Sequence, residues 1–441
     1  MIFDHIKSHK PFPTYTIFNY NLKVMNIKHS IKSSLPSNIY ASLKLLGEVA
    51  ANSNDALYII GGAARDFIID LPIHDLDLVL VGDIDIFSKS AESLGIGRIV
   101  SRSQFRTIKF ELDNIIIDIA SARTEKYESP GSLPIVEPAE LQDDLLRRDF
   151  KLNTLAVSIN PETFGEVTDM LGGLDSIHKK LITGLHEKTF QDDPTRIIRG
   201  AIYKTRFQYT FDAKTLDWIK RDIRFLTSVS TDRLKQEFNN LWTEDNPELV
   251  LKELSSLGAS SFLPIRFAYS NRIDDAFMVL REHFSPNTDL YPFILFGLNL
   301  SLNNQSTSQV PSGAGYQTKI VADISKLKNT MEEGSYSDFL YTLAPSKLCD
   351  IFREYDDSAL IVTSCINGNI NLIDLVKSYL DNYKNQTPFL NGKDLLLLGI
   401  PEGPQIGELL KLSTDLKLDG KITSVQDEID FIKKWALNSS D

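Results

Sequence analysis

Three short stretches of this 441-residue chain carry side chains whose types and spacing suit work on phosphates and bases. In the first, the apolar run Leu57–Ile60 leads into the adjacent glycines Gly61 and Gly62, with Arg65 and Asp66 just beyond. A glycine pair at a strand end leaves backbone N–H groups uncovered beside a helix start, and that is a place to hold phosphates. Asp75 and Asp77 stand two apart at the head of another apolar run, Asp75–Val81, so on a strand both carboxylates project from one face. Two such carboxylates repel unless a cation lies between them. Mg²⁺ suits the pair, because it takes a few carboxylates and completes its shell with substrate phosphate oxygens. In the second stretch, Asp144–Asn153, Arg147 and Arg148 precede Asp149, and Asn153 follows four residues later on the same face of a helix. Arginine forks there can grip triphosphate oxygens two at a time. In the third, Gln191–Arg199, the spacing predicts Asp193 and Arg196 one helical turn apart. Taken singly, each stretch also has an ordinary reading: a turn with loop-capping aspartates, a solvated charged helix, and a helix start capped by Asp193 with Pro194 in its first turn.

Together the stretches resemble the motifs of the class II tRNA nucleotidyltransferase and bacterial poly(A) polymerase family, within the polymerase-beta-type nucleotidyltransferase superfamily. The family's first motif stands here as Gly61-Gly62-Ala63-Ala64-Arg65-Asp66 and Asp75-Leu76-Asp77, with Ala64 where the family usually has valine. Arg147-Arg148-Asp149-Phe150 with Asn153 is similar to the second motif, and the resemblance implies nucleotide and ribose contacts for Arg148, Asp149 and Asn153. Thr168–Asp175 is similar to the third, which couples head to neck. Gln191–Arg199 is similar to the base-recognition motif, with Asp192 where the family usually has Glu. Ser230–Phe238 resembles the fifth, helical motif, and Leu390–Gly407 resembles the tail of bacterial members, whose last helices contact tRNA. The superfamily commonly carries a third carboxylate on a strand beside the first pair, and Asp118 is the candidate. The likeness is dense from about 57 to 240 and returns from 390 to 435.

The resemblance implies an enzyme that adds C and/or A nucleotides to the 3′ end of tRNA from CTP and ATP, without a template, releasing pyrophosphate. Asp75, Asp77 and Asp118 are then the expected catalytic residues, the first two holding Mg²⁺. Gly61, Gly62, Arg65, Asp66, Arg147, Arg148, Asp149, Asn153, Asp193, Arg196 and Arg199 are expected to bind the nucleotide. Base choice has its own physical logic. Cytosine and adenine both present an amine beside an acceptor nitrogen, which a carboxylate and a guanidinium can bond together. Guanine and uracil would turn a carbonyl toward the carboxylate, a repulsive arrangement once water is excluded. CC-only addition, A-only addition and poly(A) synthesis share these motifs. The stretch Arg123–Gln142 lies where the family has a flexible loop that helps the switch from C to A, and it carries few basic residues. A non-catalytic RNA-binding protein is the reading from a different class, which loss of Asp75 or Asp77 would mark; both are present.

These residues need a sheet to hold them. Besides the two apolar runs, Arg106–Leu112 alternates like a half-buried strand, and Asn114–Ala120 and Leu155–Ile159 read as further strands. Ile39–Val49 has helical spacing, and beyond about residue 175 the pattern is almost entirely helical, broken by Pro and Gly near 264, 285, 311–315 and 401–404. The expected architecture is α+β: a nucleotidyltransferase head of mixed sheet and helices, then an all-α neck, body and tail. Residues 1–38 are read as an N-terminal extension, 39–160 as the head, 161–245 as the neck, 246–315 as the body and 316–441 as the RNA-binding tail, with 309–317 as the best linker. The first 24 residues lack a period; an over-long start upstream of Met25 is one explanation and a transit peptide another, though the stretch has no arginine.

Composition bounds the partners. Hydrophobic residues make up 42% and charged residues 24%, enough for real cores and against disorder as the main state. A net charge of -12 excludes a uniformly basic coat, yet residues 178–236 hold 13 Lys and Arg against 7 Asp and Glu, a local strip suited to tracking RNA phosphates. Two cysteines cannot make a disulfide scaffold, and no run approaches the length of a membrane span, so a cytoplasmic protein without a membrane partner is expected.

Overall fold

The computed structural model describes residues 25–263, 267–284, 288–302, 318–331 and 336–438. The sequence stretches 1–24 and 309–317 singled out above lie outside the described residues. The chain divides into two compact units, one running to Arg233 and taking back 257–262, the other formed by 234–256 and the chain from Leu263 onward.

The first unit is built on seven strands: β1 (Ala56–Ile60), β2 (Asp77–Val81), β3 (Arg98–Arg102), β4 (Thr107–Leu112), β5 (Ile115–Ser121), and, beyond a separate two-stranded hairpin of β6 (Arg123–Lys126) and β7 (Ile135–Pro138), β8 (Leu155–Ser158) and β9 (Val167–Asp169). Their order is β3-β4-β5-β2-β1-β8-β9. Neighbours are antiparallel except β2 and β5, which run parallel. Alternation decides what each face meets. Leu57 and Ile59 of β1, Leu78 and Leu80 of β2, and Ile117 and Ile119 of β5 join a large core with α1 (Lys28–Ser34), α2 (Ser37–Asn52), α3 (Gly61–Ile68) and α4 (Ile84–Ser93). Ile60 and Val79 turn the other way, onto a small cluster with Leu141 and Leu145 of α5 (Leu141–Leu146). Six residues of helix cannot cover that second face, so part of it stays free for polar side chains.

Two expected boundaries move. Ile27, Ile31 and Leu35 are buried in the large core, and the Ile27 N–H donates to the Gly165 carbonyl at 2.8 Å. The chain from Met25 therefore belongs to the head rather than to an extension reaching residue 38; a seven-residue helix is too short to show a period in sequence. The division expected at 245/246 falls instead after Arg233. Following the sheet come α6 (Gly173–His178), α7 (Thr189–Asp192), α8 (Arg196–Phe207), α9 (Ala213–Asp222) and the start of α10 (Thr231–Trp242), with a two-residue parallel pair, β10 (Leu181–Ile182) and β11 (Thr210–Phe211), among them.

The second unit is helical in its described residues: α11 (Pro247–Ser256), α12 (Asn271–His283), α13 (Tyr291–Leu302), α14 (Thr318–Met331), α15 (Tyr336–Tyr341), α16 (Pro345–Phe352), α17 (Asp357–Asn367), α18 (Ile370–Ser378), α19 (Gly392–Leu397), α20 (Pro404–Leu418) and α21 (Val425–Asn438). α17 packs against α12, α13 and α14. The last three helices close over Leu395, Ile400, Leu409 and Ile432. Among the described residues no helix is long and apolar enough to cross a membrane, and both cysteines are buried and free.

Candidate active site

Asp77 opens β2 and sits in register with Asp118 across the parallel β2·β5 pair. Their neighbours Leu78, Ile117 and Ile119 enter the helix-covered core, so both carboxylates project from the opposite face. Asp75 differs from expectation in lying just ahead of the strand. The β1·β2 register ends at Ile59↔Leu78 because β1 turns into α3 at Gly61, which leaves Asp75 no strand partner. Buried Leu76 between them still puts Asp75 and Asp77 on one side, and both line the same cavity. Asp118 is not among that cavity's lining; Lys109 Nζ, opposite it on β4, lies 3.3 Å from its carboxylate. Burial pushes the Asp77 carboxyl up to about 6, the charges of Asp118 and Asp75 add to that, and Arg148 and Arg199 offset it only in part. A cation at this place would relieve the conflict. Among the described residues no cluster of three or more His, Cys, Asp or Glu could hold a metal by itself. Two carboxylates open to a cavity fit an ion that takes its remaining ligands from substrate.

α3 starts at Gly61, whose φ of +64° an L side chain rarely adopts. A Cβ there would lie 2.9 Å from Arg148 Nη1, so the glycine is what lets a guanidinium come against the strand end. The Arg-Arg-Asp segment is not the continuous helix expected. α5 ends at Leu146, a turn carries Arg147–Asp149, and Lys151–Asn153 form one 3-10 turn. Asp144, fully buried, sets this turn by drawing both arginines back: Arg147 Nε and Nη2 donate to Oδ1 at 2.9 and 2.7 Å, and Arg148 Nη2 to Oδ2 at 2.8 Å. Arg147 spends its remaining terminal nitrogen on Glu125 at 2.8 Å. Arg148 keeps Nε without a hydrogen-bond partner and Nη1 beside Gly61. The two arginines, alike in sequence, thus have different work: Arg147 ties the β6–β7 hairpin to the floor, and Arg148 offers donors to the cavity.

Asp149 and Asn153 meet as expected, though across a turn: Asn153 Nδ2 donates to Asp149 Oδ1 at 3.0 Å. Arg199 Nη2 lies 2.7 Å from Asp149 Oδ2. Burial works against the Asp149 charge, and Arg199, the Asn153 amide and Arg196 overcome it, holding the carboxyl below its usual range. Asp193 is likewise off-helix, at φ -135° and ψ 95° between α7 and α8. Its Oδ1 accepts from the Thr195 N–H (3.1 Å), the Thr195 hydroxyl (2.7 Å) and Arg233 Nη2 (2.7 Å). The local-cap reading is therefore correct in part: Asp193 organises the turn and also lines the cavity. Arg196, 4% exposed, donates to the Thr189 hydroxyl at 2.7 Å and to the Arg147 carbonyl at 2.6 Å. On α8 the spacing Arg196, Arg199, Tyr203, Arg206 lays one stripe along the cavity.

The cavity measures about 490 Å³, within the range for a small-molecule site, and eight arginines and six carboxylates line it. Gly61, Gly62 and Asp66, expected to bind the nucleotide, also face it, as does His74. Arg65 reaches it but is 2% exposed and bound within the protein. Arg123, Glu125, Tyr127, Tyr203, Arg206 and Arg233 were not singled out by sequence. The α8 residues were accessible as the continuation of the Arg196 face, and Arg233 sits inside the stretch likened to the fifth motif. The Arg123–Gln142 stretch is an ordered hairpin whose tip is held by Arg233 Nη1, donating to the Gly131 carbonyl at 3.0 Å.

A parallel strand pair carrying registered carboxylates, a glycine-opened helix start and an arginine-lined cavity define a nucleotidyltransferase head. The model of the Poly A polymerase head domain matches residues 57–183. An A-adding tRNA nucleotidyltransferase of Halalkalibacterium halodurans is 29% identical over 404 residues, 89% of this chain and 92% of that protein. An A-adding tRNA nucleotidyltransferase of Geobacter sulfurreducens is 26% identical over 95% of this chain, which spans 49% of that relative's length. A solved CCA-adding enzyme in an apo form superposes with a TM-score of 0.74 at 25% identity, covering 93% of this chain and 99% of that one. Residues 57–183 thus match a Poly A polymerase head, the chain along most of its length is similar to tRNA nucleotidyltransferases and CCA-adding enzymes, and it is an enzyme.

Proposed function

We propose that this enzyme works in the cytoplasm and adds C and/or A nucleotides to the 3′ end of tRNA, taking CTP and ATP as donors and using no nucleic-acid template. The observation that carries the reading is the meeting, in one cavity, of Asp75 and Asp77 with Arg148, Asp149, Asp193 and Arg196. In the reaction the RNA 3′-oxygen bonds to the α-phosphorus as the bond to the β-phosphate oxygen breaks, the hydroxyl proton leaves, and pyrophosphate departs. Arg148 and the N–H groups around Gly61 and Gly62 suit the triphosphate, and Arg199 stands beside them. Asp149, a carboxylate repelled by phosphate, suits a sugar hydroxyl as donor, with Asn153 at its side. Asp193 and Arg196 suit the amine and ring nitrogen of C or A. Mg²⁺ held by Asp75 and Asp77 would supply neutralisation of the phosphates and acidify the attacking hydroxyl. Asp118 is a candidate third carboxylate whose engagement by Lys109 makes it the weakest of the three. The roles of Arg65, Asp66 and Arg147 shift from ligand to scaffold, because their polar groups are engaged within the protein.

A second reading, addition of A alone, is favoured by the A-adding relative matched along nearly its whole length. Incubation with tRNA transcripts ending before CCA, after C and after CC, each NTP supplied separately, tests both. Extension of all three transcripts, with C then A, supports CCA addition; extension of only the CC-ended transcript by ATP supports A addition. No extension of any transcript overturns the proposal.

A further inference from the structure

Arg65 is the most enclosed cation of the site. Its Nε and Nη2 donate to Asp66 Oδ1 and Oδ2 at 2.8 and 3.0 Å. The guanidinium lies over the ring of Phe207 at 4.4 Å and that of Tyr203 at 5.5 Å. Its Nη1 donates to Asn153 Oδ1 at 2.6 Å. An amide whose oxygen is taken in this way must turn its nitrogen to the other side, and there Asn153 Nδ2 donates to Asp149 Oδ1. Asp149 is 3% exposed, and its other oxygen faces Arg199. A single row of hydrogen bonds closed by an ion pair thus runs from α3, through the 3-10 turn, to α8. A planar fork held on two edges and one face is poorly placed to follow a moving triphosphate and well placed to fix a neighbour's orientation.

We propose that Arg65 is a positioning residue for sugar recognition: clamped by Asp66 and by the rings of Tyr203 and Phe207, it fixes the Asn153 amide and through it the Asp149 carboxylate that faces the nucleotide sugar. This rests on the nucleotidyl-transfer reading above. It differs from direct nucleotide binding, the role the resemblance implies, which for a cation means contact with phosphate, and the two roles separate by chemistry. A phosphate ligand acts by charge and its loss weakens every triphosphate and pyrophosphate equally. A positioning residue acts by geometry, and its loss is felt where the Asp149 hydrogen bond is felt, at the 2′-hydroxyl.

The test uses the full chain and a tRNA transcript lacking its CCA end. Incorporation of CTP and of 2′-deoxy-CTP is measured for the wild type, Arg65→Lys, Arg65→Met and Phe207→Leu, together with inhibition by pyrophosphate, a probe of phosphate binding alone. Phe207 does not line the cavity, and besides Arg65 its ring meets Tyr203 and Arg206, which do, so Phe207→Leu is read for the same direction of change as Arg65→Met. Expected is a fall in the ribose-over-deoxyribose preference of about 10- to 100-fold in Arg65→Met, the range of one hydrogen bond to a charged group. Arg65→Lys should fall similarly despite its retained charge, and Phe207→Leu should show a smaller fall in the same direction, with pyrophosphate inhibition unchanged in all three. An Arg65→Lys enzyme that behaves as wild type, or an Arg65→Met enzyme with weakened pyrophosphate inhibition and equal losses for both sugars, makes Arg65 a phosphate ligand and overturns the inference. Should Arg65→Met fail to fold, Phe207→Leu with wild-type sugar preference overturns it alone. A wild-type enzyme that extends no transcript removes the proposed function itself, a distinguishable result.

Discussion

Most buried charges of the first unit converge on one place, Asp222 with its partners Arg221 and Gln191 apart, whereas those of the second pin chain segments to one another. Arg65, Asp144, Asp149 and Arg196 are each at most 4% exposed, and three of the four line the cavity while the fourth, Asp144, holds its two arginines. In the second unit, Glu248 takes both terminal nitrogens of Arg281, at 2.6 and 2.9 Å, tying α11 to α12. Glu428, fully buried, accepts from the backbone N–H of Phe389 and Leu390. Burying a charge costs several kcal/mol unless its partners are complete. The second unit meets that cost in part: Glu248 is paired with Arg281, while Glu428 keeps Oε1 without a hydrogen-bond partner. The first leaves donors and acceptors incomplete, notably Arg148 Nε, and Asp77 with an elevated pKa. Incomplete pairing that converges is what a ligand can finish.

The sharpest break of this contrast is at Asp77. Asp77→Ala should lose about 10³-fold or more in incorporation, several kcal/mol of transition-state stabilisation, while tRNA binding and folding persist. The isosteric Asp77→Asn should do the same and also raise the melting temperature of the metal-free protein at pH 7.5. The sign follows from linkage: the native carboxyl binds its proton up to about pH 6 and the unfolded one only to about 4, so ionisation destabilises the native state as pH rises through that window. The stabilisation should shrink as pH falls toward 5. Full activity of Asp77→Ala with Mg²⁺ would remove the metal assignment.

Glu248→Ala addresses the other side of the comparison. It removes the carboxylate partner of Arg281 and should cost about 2–3 kcal/mol, below the usual figure for a broken buried pair because Arg281 is 28% exposed and keeps a hydrogen bond with Tyr291. Thermal denaturation reads the loss, and nucleotide preference in the folded fraction should stay as in the wild type. Between these lies the arginine pair. Arg148→Ala should weaken CTP, ATP and pyrophosphate binding together by about 1.5–3 kcal/mol, the worth of hydrogen bonds to a charged group. Arg147→Ala should instead lower stability and free the hairpin, read as faster proteolysis between Lys126 and Ile135, with pyrophosphate inhibition changed far less. Equal effects of the two substitutions on pyrophosphate would erase the distinction drawn from their partners.

Much of the first unit was legible because its chemistry is written in contiguous residues. Gly61-Gly62, Asp75-Leu76-Asp77 and Arg147–Asn153 were found by type and spacing, and the sheet by the apolar runs of β1, β2 and β5 and the alternation of β4. What failed to show was conformation between elements. Arg147–Asn153 keeps its partners although the helix ends at Leu146, because Asp144 makes the turn hold them, and no period announces that. Arg147 and Arg148 could not be told apart, since Glu125 is 22 residues from the first and reaches it only through the hairpin. Strand β3 was missed because a single residue of its five, Ile99, is partly sheltered, as expected of an edge strand. In the second unit the helices were legible and the pairs were not: Glu248 and Arg281 are 33 residues apart and look like any surface charges.

Smaller effects are expected at the base-reading pair. Asp193 organises the turn and is proposed to meet the base, and substitution should separate the two. Losing the Thr195 contacts costs about 0.5–2 kcal/mol of stability, as for a lost helix cap. Losing the edge that faces the base should shift the ratio of CTP and ATP over UTP and GTP by about 10-fold or more, each factor of ten being worth about 1.4 kcal/mol. Arg196→Ala should shift the ratio with less change in melting temperature attributable to the turn, because Arg196 bonds Thr189 and the Arg147 carbonyl rather than Thr195. Single-turnover incorporation of all four NTPs, beside melting temperatures, checks both. A lowered melting point with unchanged nucleotide ratios would make the pair structural and put base selection elsewhere in the cavity.

The smallest expected effect is at the N-terminus, where the border between pattern and no pattern falls at Met25. Deleting residues 1–24 should leave activity, solubility and melting temperature unchanged, since that stretch has no period that would bury a face. Extending the deletion through Ser37 should not be neutral. It removes Ile27, Ile31 and Leu35 from the large core, and with them the Met25 carbonyl that accepts from the Val167 N–H at 2.8 Å beside β9. Each buried aliphatic is worth about 1.5–3 kcal/mol, so the longer deletion should lose most of a domain's margin of stability. Expression and thermal denaturation of the two truncations separate the cases. A short deletion that loses solubility would make residues 1–24 part of the folded head, and a long one that keeps the wild-type melting point would return the boundary to residue 38.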